Sequence, residues 1–247
     1  MRSDSALDDA RHRLFVDVLW RLQEVGVLRQ IVLIGSWCKY YYNDWFQNPE
    51  ALSPNKTTDI DFLISLPFRF QQKIDVPAAL APLGFRVEFN NTGYMTLSNP
   101  ELHIDFIVPE KGRGVDHPIT VEKLGIRASA LRYMGLLLEH PITIEKNDLH
   151  VTLPHPVNFG IHKLLVSTRR SKKVKAAKDF LNGCEILAAV MESGKGLQIK
   201  AVWSSLPLGW RRTALQSFTK GLLRLHGDVD APRITLFEGV RDFLSQP

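Results

Sequence analysis

The run Thr58-Asp59-Ile60-Asp61-Phe62-Leu63-Ile64 opens by alternating acid with hydrophobe, the pattern of a strand. Successive side chains of an extended strand point to opposite faces, so Ile60, Phe62 and Ile64 form an apolar stripe while Asp59 and Asp61 project together on the other side. Such a strand belongs in a sheet with one covered face and one polar face. The pattern recurs in Leu102-His103-Ile104-Asp105-Phe106-Ile107, where Ile104 and Phe106 turn inward and Asp105 outward.

Around these strands the pattern alternates helix and strand. Leu14, Phe15, Val18, Leu19, Leu22 and Val25 recur at helical spacing, which predicts an amphipathic helix over 5–25 ended by Gly26. Ile31 to Ile34 reads as a short buried strand. Trp37 to Phe46 reads as an aromatic-rich helix, and Gln47 to Thr58, with Pro49 and Pro54, as a loop. Asp75 and Pro77 mark the start of a helix running to about Leu83. Strands are expected at Phe85 to Phe89, Tyr94 to Ser98 and Leu102 to Val108, and a hairpin from Arg132 to Lys146 and Leu149 to Leu153.

After Pro154 and Pro156 the pattern becomes helical: Val157 to about Arg170, Val174 to Met191, a segment around Ala201, and Arg211 to Leu225. Val174, Ala177, Phe180, Leu181, Cys184, Leu187 and Ala188 share one helix face by spacing. The expectation is an α+β fold in which a mixed β-sheet domain flanked by helices, residues 1–154, is followed by a helical C-terminal domain, residues 155–247.

Two carboxylates side by side on a strand repel unless a cation neutralises them, and hard oxygen donors at this spacing suit Mg2+ or Mn2+. If the Asp105 strand lies beside the Asp59 strand, three acids can hold two ions in the arrangement that clamps attacking and leaving oxygens of a phosphoryl displacement. Gly35 and Ser36 fall where a strand passes into a helix, a place where backbone N–H groups and a hydroxyl receive phosphate oxygens. None of these features is specific alone; their order along the chain is.

A strand ending in Gly35-Ser36, a helix, the Asp59-Ile60-Asp61 strand and a later strand bearing Asp105 together resemble the DNA polymerase beta-like nucleotidyltransferase superfamily. The resemblance covers roughly 31–108 and looks closest to bacterial nucleotidyltransferase-like proteins of little-characterised function. It implies a nucleotidyltransferase domain that binds ATP or another nucleoside triphosphate and moves its NMP to an acceptor hydroxyl, releasing pyrophosphate with two divalent ions. The acceptor classes it implies are tRNA or other RNA, a small molecule, or a protein. In that reading Asp59, Asp61 and Asp105 are catalytic and metal-binding, and Gly35 and Ser36 bind the nucleotide. The stretch 37–58 is longer than the corresponding segment of compact members. The alternative is a catalytically inactive nucleotide- or RNA-binding module of the same fold.

The formal charge of +5 favours polyanionic partners. Lys163, Arg169, Arg170, Lys172, Lys173, Lys175 and Lys178 form the densest basic cluster, and Lys163 and Lys178 are the expected nucleotide contacts there. Trp37, Tyr41 and Trp45, four apart, are expected to pack along one helix face. Cys38 and Cys184 follow no metal or disulfide spacing, which suits a reducing cytoplasm. The N-terminal stretch bears Asp4, Asp8 and Asp9 rather than a basic and then apolar leader, and no run approaches a membrane span, so no membrane association is expected.

Overall fold

A computed structural model describes residues 4–48, 50–53, 57–110, 112, 117–225 and 231–246. Pro49 and Pro54, expected as loop breakers, lie outside the described residues. The chain divides into two compact units: Met1–Tyr41 with Ser53–Pro154, and Tyr42–Leu52 with His155–Pro247.

In the first unit the expected opening helix is α1 (Asp4–Glu24), whose Phe15, Val18, Leu19 and Leu22 are fully buried. A 3-10 turn leads to β1 (Val32–Ile34), then α2 (Cys38–Phe46) and β2 (Asp59–Leu63). Asp75 caps α3 (Val76–Leu80) by accepting from the Ala78 N–H at 3.0 Å, with Pro77 in the first turn. The strands β3 (Arg86–Phe89), β4 (Met95–Ser98) and β5 (His103–Pro109) follow.

Two further strands, β6 (Ile119–Val121) and β7 (Ile126–Leu131), complete the sheet; β6 is only three residues long, and neither was expected from the sequence. The expected hairpin is only half strand. Met134-Gly135-Leu136-Leu137 forms the short helix α4 (Met134–Leu137), and the hairpin proper is β8 (Ile142–Lys146) with β9 (Leu149–Leu153). An unbroken apolar run carries no period, so it does not separate helix from strand. The Gln23 side chain of α1 ties the hairpin down, donating to the Asp148 carbonyl at 2.9 Å and accepting from the His150 N–H at 3.0 Å.

Among the described residues seven strands form one sheet with the path β1-β2-β5-β4-β3, and β7 lies beside the second half of β5 with β6 beyond it. The sheet is mixed: β2 and β7 run parallel to β5, and the other pairs are antiparallel. A parallel neighbour requires a crossover, and residues 64–102, carrying α3, β3 and β4, supply it between β2 and β5. Phe62 and Phe106, partners in register, stack at 5.8 Å on the apolar face, and Ile60 and Ile104 are fully buried beside them.

The second unit is helical: α5 (Pro156–Ser167), α6 (Lys173–Glu192), α7 (Gly196–Ser205), α8 (Leu208–Leu225) and α9 (Ala231–Ser245). At its centre α5 and α6 approach closely. A Cβ on Gly160 would meet Leu187 Cγ at 2.8 Å, and one on Gly183 would meet the Gly160 carbonyl at 2.9 Å, so glycine is required at both. Phe180 of α6 packs edge-on against Phe218 and Phe237 at 5.5 and 5.7 Å.

Of the expected α6 face, Phe180, Cys184, Leu187 and Ala188 are buried, and Val174 at its start is 82% exposed. From Asp179 onward burial runs nearly all round the helix and takes in Asp179, Asn182, Cys184 and Ile186 through Val190. The segment Tyr42–Leu52 also belongs to this unit: Tyr42 is buried with its ring 5.7 Å from Phe159, and Trp45 lies 5.6 Å from His155. Within the long stretch 37–58, Tyr42–Leu52 therefore contributes to a second core. No described helix is long and apolar enough to cross a membrane.

Candidate active site

Register decides which side chains share the polar face. In both parallel and antiparallel pairs, directly paired residues point to the same side of the sheet. Asp61 pairs with Asp105, Asp105 with Thr96 and Thr96 with Glu88, which makes one polar row across β2, β5, β4 and β3. Two residues along, Asp59, His103, Ser98 and Arg86 make a second row. The strand alternation thus brings Asp59, Asp61 and Asp105 to one face, with their apolar neighbours on the other.

The three acids differ in setting. Asp59 is exposed at the start of β2, while Asp61 and Asp105 are half-buried. Asp105 Oδ1 accepts a 2.6 Å hydrogen bond from Thr96 Oγ1, and His103 Nδ1 lies 3.0 Å from Ser98 Oγ. Sequence reading missed Thr96 and Ser98. The signal was present in Met95-Thr96-Leu97-Ser98, whose alternation sets both hydroxyls on one face, with Met95 and Leu97 buried on the other.

Gly35 explains its own identity. Its φ is +81°, a left-handed conformation that disfavours any Cβ, and a Cβ there would lie 2.5 Å from Asp61 Oδ2. The glycine turn and the acidic face are therefore in contact. Ser36 follows in the turn that opens α2, where its carbonyl accepts from the Lys39 N–H at 3.3 Å and the Gly35 carbonyl accepts from Cys38 at the same distance.

The expected aromatic stack is divided. Trp37 lies flat on Phe15 of α1 at 4.0 Å and Tyr41 is buried beside it, whereas Trp45 belongs to the second unit, where Lys195 Nζ sits 4.6 Å from its ring. Tyr40 is half-buried, edge-on to His12 at 4.6 Å, with Lys146 Nζ 4.1 Å over its ring. Burial, reinforced by Lys146, lowers the His12 pKa.

Lys163 and Lys178 both lie in the second unit. The Lys163 ammonium is held by Asp179 Oδ1 at 2.8 Å, and Arg170 Nε holds Oδ2 at 2.8 Å. Burial alone would raise the Asp179 pKa, but the two cations outweigh it and keep the carboxylate below its ordinary value. Lys178 is exposed on α6.

The three aspartates offer oxygen donors, which suit a hard divalent cation. The side chains share the face without converging: among the described residues no three His, Cys, Asp or Glu are gathered into a ligating group. What fits is the donor chemistry, the direct pairing of Asp61 with Asp105, and a glycine that leaves room for the Asp61 carboxylate.

The mixed sheet displays aspartates on two adjacent strands beside a glycine turn. The chain belongs to a nucleotidyltransferase family, whose model, described as "Nucleotidyltransferase", matches residues 13–207. It is accordingly a nucleotidyltransferase. A search of curated proteins returned no match. Among solved structures it is similar to the antibiotic-resistance factor ANT(2'')-Ia, at 13% identity over 89% of this chain and 98% of that one, with a TM-score of 0.42. It is similar too to an antigenic nucleotidyltransferase-like protein from Paracoccidioides brasiliensis, at 13% identity over 90% and 95% of the two chains, again with a TM-score of 0.42.

Proposed function

We propose that the chain transfers NMP from a nucleoside triphosphate such as ATP to an acceptor hydroxyl, with release of pyrophosphate and dependence on a divalent ion. The observation that carries this reading is the register pairing of Asp61 with Asp105 beside Gly35, whose missing Cβ leaves room for the Asp61 carboxylate. Asp59, Asp61 and Asp105 would hold Mg2+ or Mn2+. Bound there, the ions would supply charge neutralisation for the triphosphate and Lewis-acid activation of the reacting oxygens.

The chain's own groups do the rest. Gly35 lets the backbone approach the phosphates closely, and Ser36 adds a hydroxyl at the opening of α2, whose helix end favours negative charge. Asp105, on the strand next to the Asp59 and Asp61 strand, would take the proton of the acceptor hydroxyl as it attacks. The acceptor hydroxyl belongs to an RNA such as tRNA, a small molecule or a protein. Both cysteines are buried thiols, which suits a cytoplasmic setting.

Pyrophosphate release from each of the four labelled NTPs, with Mg2+ or Mn2+ and with total RNA, cellular protein or a metabolite pool as acceptor, tests the reading. Label should move to one acceptor class, and EDTA or Asp61→Asn should stop it. Transfer that survives both EDTA and the paired Asp59→Asn and Asp61→Asn changes would overturn the assignment.

A further inference from the structure

We infer that Thr96 is a positioning residue that sets the orientation of the Asp105 carboxylate toward the metal-binding face; this rests on the proposed role of Asp105. Thr96 stands directly across from Asp105 in the antiparallel β4–β5 pair, and its Oγ1 donates to Oδ1 at 2.6 Å. That length marks a charge-assisted bond, stronger than one between neutral groups. A hydroxyl has one proton to give, and here it goes to Asp105 rather than to Glu88, the partner of Thr96 on the edge strand β3.

The donor itself is held still. Threonine is branched at Cβ and has few χ1 choices, and Met95 and Leu97 on either side of it are buried on the opposite face, which prevents β4 from rotating. One oxygen of Asp105 is thereby tied, the plane of the carboxylate is set, and the direction of Oδ2 follows. The same device recurs one step along, where Ser98, buried, meets His103 Nδ1 at 3.0 Å. β4 thus places a hydroxyl against each polar side chain that β5 displays on this face. Groups that orient metal-binding carboxylates typically change metal affinity by about 10- to 100-fold when lost.

Mn2+ titration of the full-length protein, read by electron paramagnetic resonance, tests this with Thr96→Val, Thr96→Ser, Ser98→Ala and Asp105→Asn, each checked for folding by circular dichroism. Thr96→Val keeps the shape and removes only the hydroxyl; it should raise the Mn2+ Kd about tenfold or more. Thr96→Ser restores a hydroxyl and should return the Kd near the wild-type value, and Ser98→Ala should leave it unchanged. If Thr96→Val does not fold, Thr96→Ala takes its place with the same expectation. A wild-type Kd in a folded Thr96→Val beside a weakened Asp105→Asn overturns the positioning role and leaves the carboxylate site standing. Asp105→Asn that binds Mn2+ like the wild type, or a wild type indifferent to Mn2+, overturns the carboxylate site and the role of Thr96 with it.

Discussion

Asp61 and Asp105 are direct partners in register on neighbouring parallel strands, half-buried on one face of the sheet, while the next residues along, Phe62 and Phe106, stack at 5.8 Å on the other. Like charges placed opposite one another weaken a sheet, so this pairing costs stability that the aromatic face offsets.

Asp61→Asn should therefore separate activity from stability. NTP turnover is expected to fall by roughly 100-fold or more, because a direct ligand matters more than the supporting groups whose loss alone has effects of that size. Unfolding free energy should hold or rise by about 0.5 kcal/mol as the repulsion is relieved. Pyrophosphate-release kinetics beside urea denaturation measure both; a large loss of stability would show that the pair is structural.

Gly35→Ala places a methyl group 2.5 Å from Asp61 Oδ2 at a φ of +81°. The left-handed conformation alone costs about 1–2 kcal/mol. The carboxylate must also move. Calorimetry should show a lowered Tm, and titration with ATP and Mg2+ should show weakened binding in protein that remains folded. Unchanged nucleotide affinity would mean that the turn does not border the site.

Asp179 holds two cations, and its side chain is 8% exposed beside a Lys163 that is 12% exposed. Removing one member of a buried pair leaves the other charged and desolvated. Asp179→Ala should destabilise the protein by about 3 kcal/mol. The combined change of Asp179→Leu and Lys163→Met should recover much of that loss, since no buried charge is stranded. Chemical denaturation of the single and double variants reads the difference.

His162 is 4% exposed, both ring nitrogens lack a hydrogen-bond partner among the described residues, and burial with help from Lys163 lowers its pKa to about 3 from the ordinary 6.5. The group is neutral in both states above pH 6.5, so it costs nothing there. Between 6.5 and about 3 the unfolded chain binds a proton that the folded chain refuses, and stability falls by about 1.4 kcal/mol per pH unit. Asp179, whose folded pKa is depressed, adds a loss of the same sign as pH falls through the carboxylate range. In His162→Leu the slope between pH 6 and 4 should flatten; an unchanged slope would assign the acid sensitivity elsewhere.

Much of the site was legible in sequence because a strand's side-chain period is local. The alternation in Asp59-Ile60-Asp61-Phe62 and in His103-Ile104-Asp105-Phe106 required each aspartate to leave the core, and both segments are strands. The helix capped by Asp75 was equally local, as was the turn at Gly35. Where the local signal was weak, reading failed. β6 and β7 went unmarked, and the apolar run 134–137 became a helix inside an expected hairpin. α6 carries so much apolar surface that a single stripe does not describe it.

Sequence by itself determined which residues face out of the sheet and that acids are among them. Tertiary structure alone decided that β5 lies parallel to β2 with Asp61 opposite Asp105, and that Thr96 reaches Asp105. It also decided that Gly35 touches Asp61, and that Tyr42–Leu52 joins the second unit. The physical reason is range. Face follows from the two-residue period of one strand, but partner and register depend on closing loops of tens of residues and on which apolar faces then pack together.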